Sequence, residues 1–141
     1  MNLQLEEATQ SDIPVIFAQA KELVATYEDL TSIDYDSVMR WMERKITDNI
    51  FRYRCVLKDQ KACAYYCLCD DGELDDLYVL PAFQNMGIGS EIIKKCISES
   101  PQKLYLYVFT RNNRAVAFYE RHGFTCRESV SKTRMILQRN G

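Results

Sequence analysis

The sequence LYVLPAFQNMGIGS, residues 77–90, passes from an apolar run through a loop into a segment with helical periodicity. The run is predicted to be a strand, and Pro81 closes it because proline cannot donate to a sheet ladder. Gly87 and Gly89 let the backbone turn tightly and approach a ligand, since neither residue carries a Cβ atom. Backbone N–H groups that converge before a helix N-terminus attract anions. The loop therefore predicts a site for a pyrophosphate group.

Two other phosphate-binding motifs fit this loop poorly. A P-loop has Lys and then Ser or Thr after its last glycine, whereas Gly89 is followed by Ser90 and Glu91. A Rossmann fingerprint needs a third glycine or an alanine where this chain has Ile92, and its first glycine follows the strand more closely. Taken alone, the two glycines are explained equally well by a simple turn before a helix.

Outward from the loop, apolar residues recur with the periods of strands and helices. The predicted strands are residues 3–8, 51–58, 61–70, 73–80, 103–109, 124–128 and 132–138, and the predicted helices are residues 13–27, 36–47, 90–98 and 112–121. The strand at 61–70 is apolar on both faces, which is typical of a central strand covered on both sides. The order βααβββαβαββ predicts a single α/β domain over residues 1–141, with a mixed sheet and helices on both faces.

The second predicted helix is amphipathic. Its spacing places Val38, Trp41, Met42 and Lys45 on roughly one face. Large aromatic side chains at such positions usually pack in the core. Trp41 is therefore expected to anchor this helix rather than to bind a ligand.

The six cysteines are expected to be free thiols that pack as small hydrophobic groups. Cys63, Cys67 and Cys69 share parity, so a regular strand would point all three to one face. A structural zinc site usually has four ligands in paired CxxC units. Here the only histidine, His122, lies far along the chain, so we expect no metal.

Composition excludes several classes of protein. The chain has 141 residues and a formal net charge of −2, so it offers no uniformly basic surface for nucleic acid. No apolar run approaches the ~20 residues that a bilayer crossing requires. Residues 1–10 lack the apolar core of a signal peptide. A cytoplasmic location is expected, without membrane or nucleic-acid partners.

Two blocks of sequence, taken together, point to a family. The block LYVxPxxQxxGxG, residues 77–89, resembles the acetyl-coenzyme A signature of the GNAT superfamily of N-acetyltransferases. The block NNRAVAFYERHGF, residues 112–124, resembles the family's Asn-x-x-Ala…Phe-Tyr-Glu-x-x-Gly-Phe segment. The blocks occur in the family's order, separated by one helix and one strand, and the resemblance covers essentially the whole chain.

The resemblance implies a mixed, mostly antiparallel central sheet with helices on both faces, in which two parallel strands splay apart to admit coenzyme A. It implies acetyl-coenzyme A as co-substrate, with the pantetheine arm along the first splayed strand and the pyrophosphate in the loop. Gln84 stands where arginine is commoner in the family, and Lys94, Lys95 or Arg114 would then compensate near the ribose phosphate. The residues implied in cofactor binding are Leu77, Tyr78, Val79, Gln84, Asn85, Met86, Gly87, Ile88, Gly89, Ser90, Asn112 and Tyr119.

The implied reaction is acetylation of a primary amine by direct attack. An aliphatic amine with a pKa of about 10.4 must lose a proton before it attacks a thioester. Tyr119 holds the family's position for the acid that protonates the leaving thiolate. Glu73 matches the catalytic glutamate of some members, acting directly or through a water. A packed aromatic ring and a solvated strand end are the alternatives for these two residues.

Residues 70–76 contain five carboxylates and no basic residue. The run is either a solvated turn or an acidic mouth that attracts a cationic amine and raises the pKa of one carboxylate. The second interpretation favours a polyamine, an aminoglycoside-like compound or a peptide amine as acceptor. Acetylation of a protein amine, and a coenzyme A-binding regulatory module without catalysis, remain alternatives. The resemblance also allows a homodimer through the C-terminal strands.

Overall fold

The computed structural model describes the whole chain, Met1–Gly141, and its helices and strands follow the predicted order. Every predicted boundary is correct to within two residues. The strands are β1 Leu3–Glu7, β2 Tyr53–Lys58, β3 Lys61–Leu68, β4 Leu74–Val79, β5 Lys103–Phe109, β6 Thr125–Ser129 and β7 Arg134–Asn140; the helices are α1 Ile13–Tyr27, α2 Tyr35–Asp48, α3 Ile88–Glu99 and α4 Asn113–Arg121. None of these helices has both the length and the hydropathy needed to cross a membrane.

The strands form two antiparallel sheets that meet at one parallel contact. The first sheet has the order β1-β2-β3-β4 and the second the order β5-β7-β6. Glu73, just before β4, bridges Tyr105 of β5, and the Tyr105 N–H donates to the Gly72 carbonyl oxygen over 3.0 Å. Beyond this bridge β4 and β5 share no ladder, and a cavity opens between them. The predicted mixed, mostly antiparallel sheet is confirmed.

Hydrophobic clusters cover both faces of the first sheet. One cluster packs α3 against strands of both sheets and includes Ile92 and Leu104. The other packs α1 and α2 on the opposite face and includes Ile16, Ile46 and Tyr65. Strand β3 is buried on both faces, as its apolar pattern predicted. Removal of these side chains from water is the main force that holds the helices to the sheet.

A β-bulge overturns the prediction that Cys63, Cys67 and Cys69 share one face. The pairing register shifts between Val56 and Leu57 of β2, which leaves Cys63 without a partner in the ladder. The extra residue interrupts the alternation of side chains. Cys63 therefore packs in the α3 cluster, whereas Cys67 packs in the α1–α2 cluster. All six cysteines are free thiols, as expected.

The prediction that Trp41 lies in the core is wrong. Its side chain is 62% exposed, and the buried residues of α2 are Met42 and Ile46. Successive residues of a helix differ by about 100° around its axis. Trp41 is one residue from Met42, so it lies at the edge of the buried stripe rather than within it.

Gly72 controls how closely the two sheets approach at their junction. Its φ of +92° is in the left-handed region, and a Cβ atom added there would lie 2.5 Å from the Lys103 carbonyl oxygen. We expect Gly72→Ala to lower the free energy of unfolding by roughly 3 kcal/mol, since it combines backbone strain with a backbone clash. Chemical denaturation would measure the loss.

Gly87→Ala is the matched control. Gly87 has a similar φ of +83°, but its added Cβ would meet only the flexible Met1 Cε atom, at 3.5 Å. This variant is expected to lose about 1 kcal/mol, from backbone strain alone. Equal losses in the two variants would show that contact with Lys103 does not constrain the junction.

Candidate active site

A cleft opens where β4 and β5 diverge. Its larger part, the strand cavity, has a volume of about 770 Å³ and is lined by β4, β5, α1 and α2. Its smaller part, the loop cavity, has a volume of about 440 Å³ and is lined by the loop before α3 and by α4. The parts adjoin, since both are lined by Leu23, Leu77, Val79, Gln84, Asn112, Ala115 and Tyr119.

The two glycines of the loop have different structural roles. Gly87 is the N-cap of α3 in a left-handed conformation, and Asn85 is also left-handed, with φ of 64°. Gly89 lies inside the helix, where an added Cβ would be 3.2 Å from the Phe118 ring. Gly87 therefore makes the turn, and Gly89 lets α3 pack closely against α4. Six of the seven predicted loop residues line the loop cavity, while Met86 lines neither part and is 48% exposed.

The loop cavity is suited to an anion. The first N–H groups of α3 have no partners within the helix, and the helix dipole adds partial positive charge at the same end. Arg114 and Arg121 line this cavity, and an Arg114 Nη2 donor bonds to Asn85 Oδ1. Lys94 and Lys95 do not line it. They form exposed ion pairs with carboxylates of α3 at 3.7 and 3.3 Å.

Ser90 and His122 connect the loop to the end of α4. The Ser90 Oγ atom lies 3.1 Å from His122 Nε2, and Ser90 lines the loop cavity. Burial lowers the pKa of His122, and the neighbouring Arg121 and Lys94 lower it further. The imidazole is therefore neutral over most of the physiological range, and it holds the serine hydroxyl by a neutral hydrogen bond.

The edge of β4 that faces the cleft has carbonyl groups directed away from β3. The Leu80 N–H donates to the Cys63 carbonyl of β3 over 2.9 Å, and backbone groups along a strand alternate in direction. The carbonyls of Leu77 and Val79 therefore face the cleft. Gln84 Nε2 donates to the Val79 carbonyl oxygen over 3.0 Å. The Gln84 side chain, for which the family resemblance implied a role in phosphate binding, is therefore hydrogen-bonded to β4.

Asn112 and Tyr119 come into the cleft from α4. The Asn112 Oδ1 atom accepts from the Ala115 N–H over 3.1 Å and so caps the helix, which leaves the amide nitrogen for other partners. Tyr119 packs edge-to-face against Phe118 and Phe124, at centroid distances of 5.1 and 5.5 Å. Its hydroxyl makes no hydrogen bond within the chain. Burial raises the pKa of Tyr119, with smaller effects from Cys96 and Asp76, so the phenol stays protonated.

Glu73 lines the strand cavity together with Tyr119. Its side chain is half-buried and makes no hydrogen bond within the chain. Burial raises the pKa of Glu73, and the nearby charges of Asp75 and Asp71 raise it further, against a smaller opposite effect of Lys45. The acidic run was interpreted either as a solvated turn or as an acidic mouth that raises the pKa of one carboxylate. Glu73 fits the second interpretation, because its pKa is raised and it lines a cavity.

The rest of the acidic run is neutralised in part by residues distant in sequence. Lys45 Nζ lies 3.1 Å from Asp75 and 3.5 Å from Asp76. Asp76 also accepts hydrogen bonds from Tyr53 and, at 2.7 Å, from Tyr78. Burial raises the pKa of Asp76, while Lys45 and the two phenols oppose that effect. Local sequence gave no sign of Lys45 and Tyr53 as partners, because they lie on α2 and β2.

The helical face predicted for Val38, Trp41, Met42 and Lys45 does line the strand cavity. The residue pattern therefore identified the correct face, and only the burial of Trp41 was misjudged. Sequence reasoning did not include any of these four residues in the site.

Cys67, Cys69 and Asp75 have side-chain ligand atoms within 4.8 Å of one another. Burial raises the pKa of both thiols, with nearby carboxylates adding to the effect, so neither is a thiolate near neutral pH. Asp75 is engaged by Lys45. This chemistry fits a packed thiol pair better than a metal site.

Comparisons with known proteins agree with this fold. A search of curated protein sequences found no match. Among solved structures, the PaiA N-acetyltransferase of Thermoplasma acidophilum, in complex with coenzyme A, has 19% identity and a TM-score of 0.71, with 100% of both chains covered. An acetyltransferase of Thermus thermophilus has 21% identity and a TM-score of 0.67, with 100% of this chain and 98% of that chain covered.

A third structure, the YncA protein of Salmonella typhimurium with its cofactor acetyl-coenzyme A, has 16% identity and a TM-score of 0.65, with 99% of this chain and 94% of that chain covered. At these identities the likeness shows the fold alone. The sequence model of the acetyltransferase (GNAT) family matches residues 18–124, which is most of the chain. The chain therefore belongs to the GNAT family of acetyltransferases.

Proposed function

We propose that this chain transfers the acetyl group of acetyl-coenzyme A to a primary amine by direct attack of the amine nitrogen. The observation that carries this proposal is the meeting of three groups in one cleft: the carboxylate of Glu73, the phenol of Tyr119 and the anion-binding loop. Family membership supports acetyl transfer. The acceptor is a small-molecule or peptide amine, because the base and the acid lie inside a cavity.

The loop cavity suits coenzyme A. The left-handed turn at Asn85 and Gly87 and the first turn of α3 offer N–H groups to a pyrophosphate. The carbonyls on the cleft edge of β4 offer acceptors to the amides of a pantetheine arm, as they would to an added strand. The complexes of PaiA and YncA support the same ligand here. When bound, acetyl-coenzyme A supplies an activated thioester and a thiolate leaving group.

Glu73 is the proposed base, acting directly or through one water. An ammonium group must give up a proton before its nitrogen becomes nucleophilic. The Glu73 carboxylate is free to accept that proton, because Lys45 is engaged by Asp75 and Asp76. Its raised pKa brings its proton affinity closer to that of the amine, which makes the transfer less unfavourable.

Tyr119 is the proposed acid. Tyr119 lines both parts of the cleft, and its hydroxyl has no partner within the chain, so it is free to donate to a leaving sulfur. Burial keeps the phenol protonated, which is the form that the acid role requires. Its ring is fixed between Phe118 and Phe124, so little reorientation is needed before it donates.

Calorimetric titration of the purified, reduced protein with acetyl-coenzyme A tests this proposal, with ATP and NADH as controls. Mass spectrometry of reactions with a panel of amines would follow. Selective binding together with an acetylated amine is the expected result. Binding without transfer to any amine would indicate a non-catalytic coenzyme A-binding module, and absence of binding would contradict the proposal altogether.

Tyr119→Phe is expected to lower kcat by about 10²-fold, because the variant loses the proton donor to the leaving group. The Kd for acetyl-coenzyme A should be unchanged, since the ring and its packing remain. Tyr107→Phe is the control, because Tyr107 also lines the strand cavity but lies on β5. An unchanged kcat for Tyr119→Phe in steady-state kinetics would show that the Tyr119 phenol is not the proton donor.

Glu73→Gln is expected to lower kcat by about 10²-fold and to remove the acid limb of its pH profile. In the unmodified protein kcat should rise with pH as Glu73 loses its proton, at a midpoint above that of an ordinary glutamate. A raised folded pKa means that ionisation of Glu73 costs stability as the pH rises through that pKa. The variant should therefore be at least as stable at neutral pH, and unfolding would not explain its lost activity.

Glu22→Gln is the matched control, because it removes one charge from the wall of the same cavity. It should keep both the rate and the acid limb of the pH profile. An acid limb that persists in Glu73→Gln would assign the titration to another group.

A further inference from the structure

Trp41 is the only tryptophan of the chain, and its position is unusual for so large an apolar side chain. It is 62% exposed and also lines the strand cavity, beside Val38 and Met42 of the same helix. Exposure of an indole to water brings no stability to the folded chain. The ring therefore stands at the cavity as a surface that a bound molecule would cover.

The location of Trp41 separates it from the proposed cofactor site. The loop before α3 and the arginines of α4 line the loop cavity, whereas Trp41, Glu73 and Lys45 line only the strand cavity. Tyr119 borders both parts, and it is the proposed donor to the leaving sulfur. The strand cavity is therefore the side from which an acceptor amine would approach the thioester.

The charges near Trp41 limit the number of positive charges that the acceptor can carry. Glu73 is the carboxylate left free on this part of β4, because Asp75 and Asp76 both engage Lys45. The Lys45 ammonium itself lies 5.6 Å from the centre of the Trp41 ring. A second positive charge placed against this ring would compete with the Lys45 ammonium for the π face, whereas an apolar group would not.

We propose that the acceptor is a primary amine with one positive charge and an apolar, ring-sized body, and that Trp41 binds that body while Glu73 receives the ammonium group. This inference rests on the proposed function and narrows it. It also replaces the polyamine and aminoglycoside-like acceptors that the acidic run favoured in the sequence. An apolar body covers the exposed indole and the neighbouring Val38, and stacking on the indole adds to the area that it buries.

Fluorescence of Trp41 tests the proposal without requiring turnover. The protein is saturated with coenzyme A, excited at a wavelength selective for tryptophan, and titrated with 2-phenylethylamine or with spermidine. We expect a saturable change in emission with 2-phenylethylamine, at concentrations about tenfold lower than any change caused by spermidine. Phe51→Ala is the control variant, because Phe51 is 56% exposed but does not line the cleft, and its titration should match the unmodified protein.

Kinetics of two substitutions at Trp41 separate binding from folding. Trp41→Ala should raise the KM for 2-phenylethylamine about tenfold, and Trp41→Phe should keep most of the affinity because it keeps a ring. The KM for acetyl-coenzyme A should be unchanged in both variants. A parallel loss of affinity for both substrates in Trp41→Ala would indicate a structural role and overturn the proposal.

The fluorescence titration measures binding to Trp41, so its outcome does not depend on whether the enzyme is active. If 2-phenylethylamine gives no saturable change, or if spermidine binds as tightly, the proposal is wrong whatever the enzyme activity. If the emission changes as expected but no amine is acetylated, Trp41 binds the predicted class of ligand and the proposed function fails. Acetyl transfer to spermidine in preference to 2-phenylethylamine would leave the proposed function intact and contradict the acceptor class.

Discussion

The single parallel contact between β4 and β5 is the constraint on which the cleft depends. Two antiparallel sheets meet at Gly72 and Glu73 and then diverge, so one edge of β4 is left without a neighbouring strand. Backbone carbonyls on such an edge need partners, and in this chain the Gln84 side chain supplies one to Val79. Separation of the strands thus provides both the space for a ligand and unpaired polar groups that a ligand can satisfy. The left-handed loop and the start of α3 follow directly from the same strand, which brings the anion site to the same opening.

The floor of the cleft is fixed by a buried polar network rather than by apolar packing. Asp76 accepts from the phenols of Tyr53 and Tyr78 and faces Lys45, which lies on a different element from either tyrosine. A carboxylate whose side chain is only 11% exposed is tolerated only when its oxygens are satisfied. The network therefore ties α2, β2 and β4 together and holds β4 in place along the cleft. Glu73 lies at the junction, outside this network, and keeps a carboxylate that is free to react.

Local features of the fold could be predicted from the sequence, whereas long-range partners could not. The order of elements and the position of the loop depend on neighbours within a few residues, and these predictions were confirmed. The bulge at Cys63 depends on how β2 and β3 pair, and alternation along one strand carries no information about that register. Trp41 was misjudged for a related reason, since helical spacing identifies a face but not whether that face meets a core or a cavity. Lys45 could not be identified as a partner of Asp75, because only the packed helix brings its ammonium to the strand.

The acidic run shows how partners distant in sequence change what can be inferred about function. In sequence, five carboxylates without a basic neighbour describe a strongly negative mouth that would attract any polycation. In the folded chain, Asp71 accepts from the Tyr105 hydroxyl over 2.6 Å at the outer turn, and Lys45 lies between two further carboxylates. Of these five carboxylates, Glu73 is then the one that lines the cavity without a partner, so the run contributes less charge there than its total suggests. Specificity in such a site depends on which charges remain unpaired after folding, because a desolvated group without a partner discriminates between ligands far more strongly than a neutralised pair does.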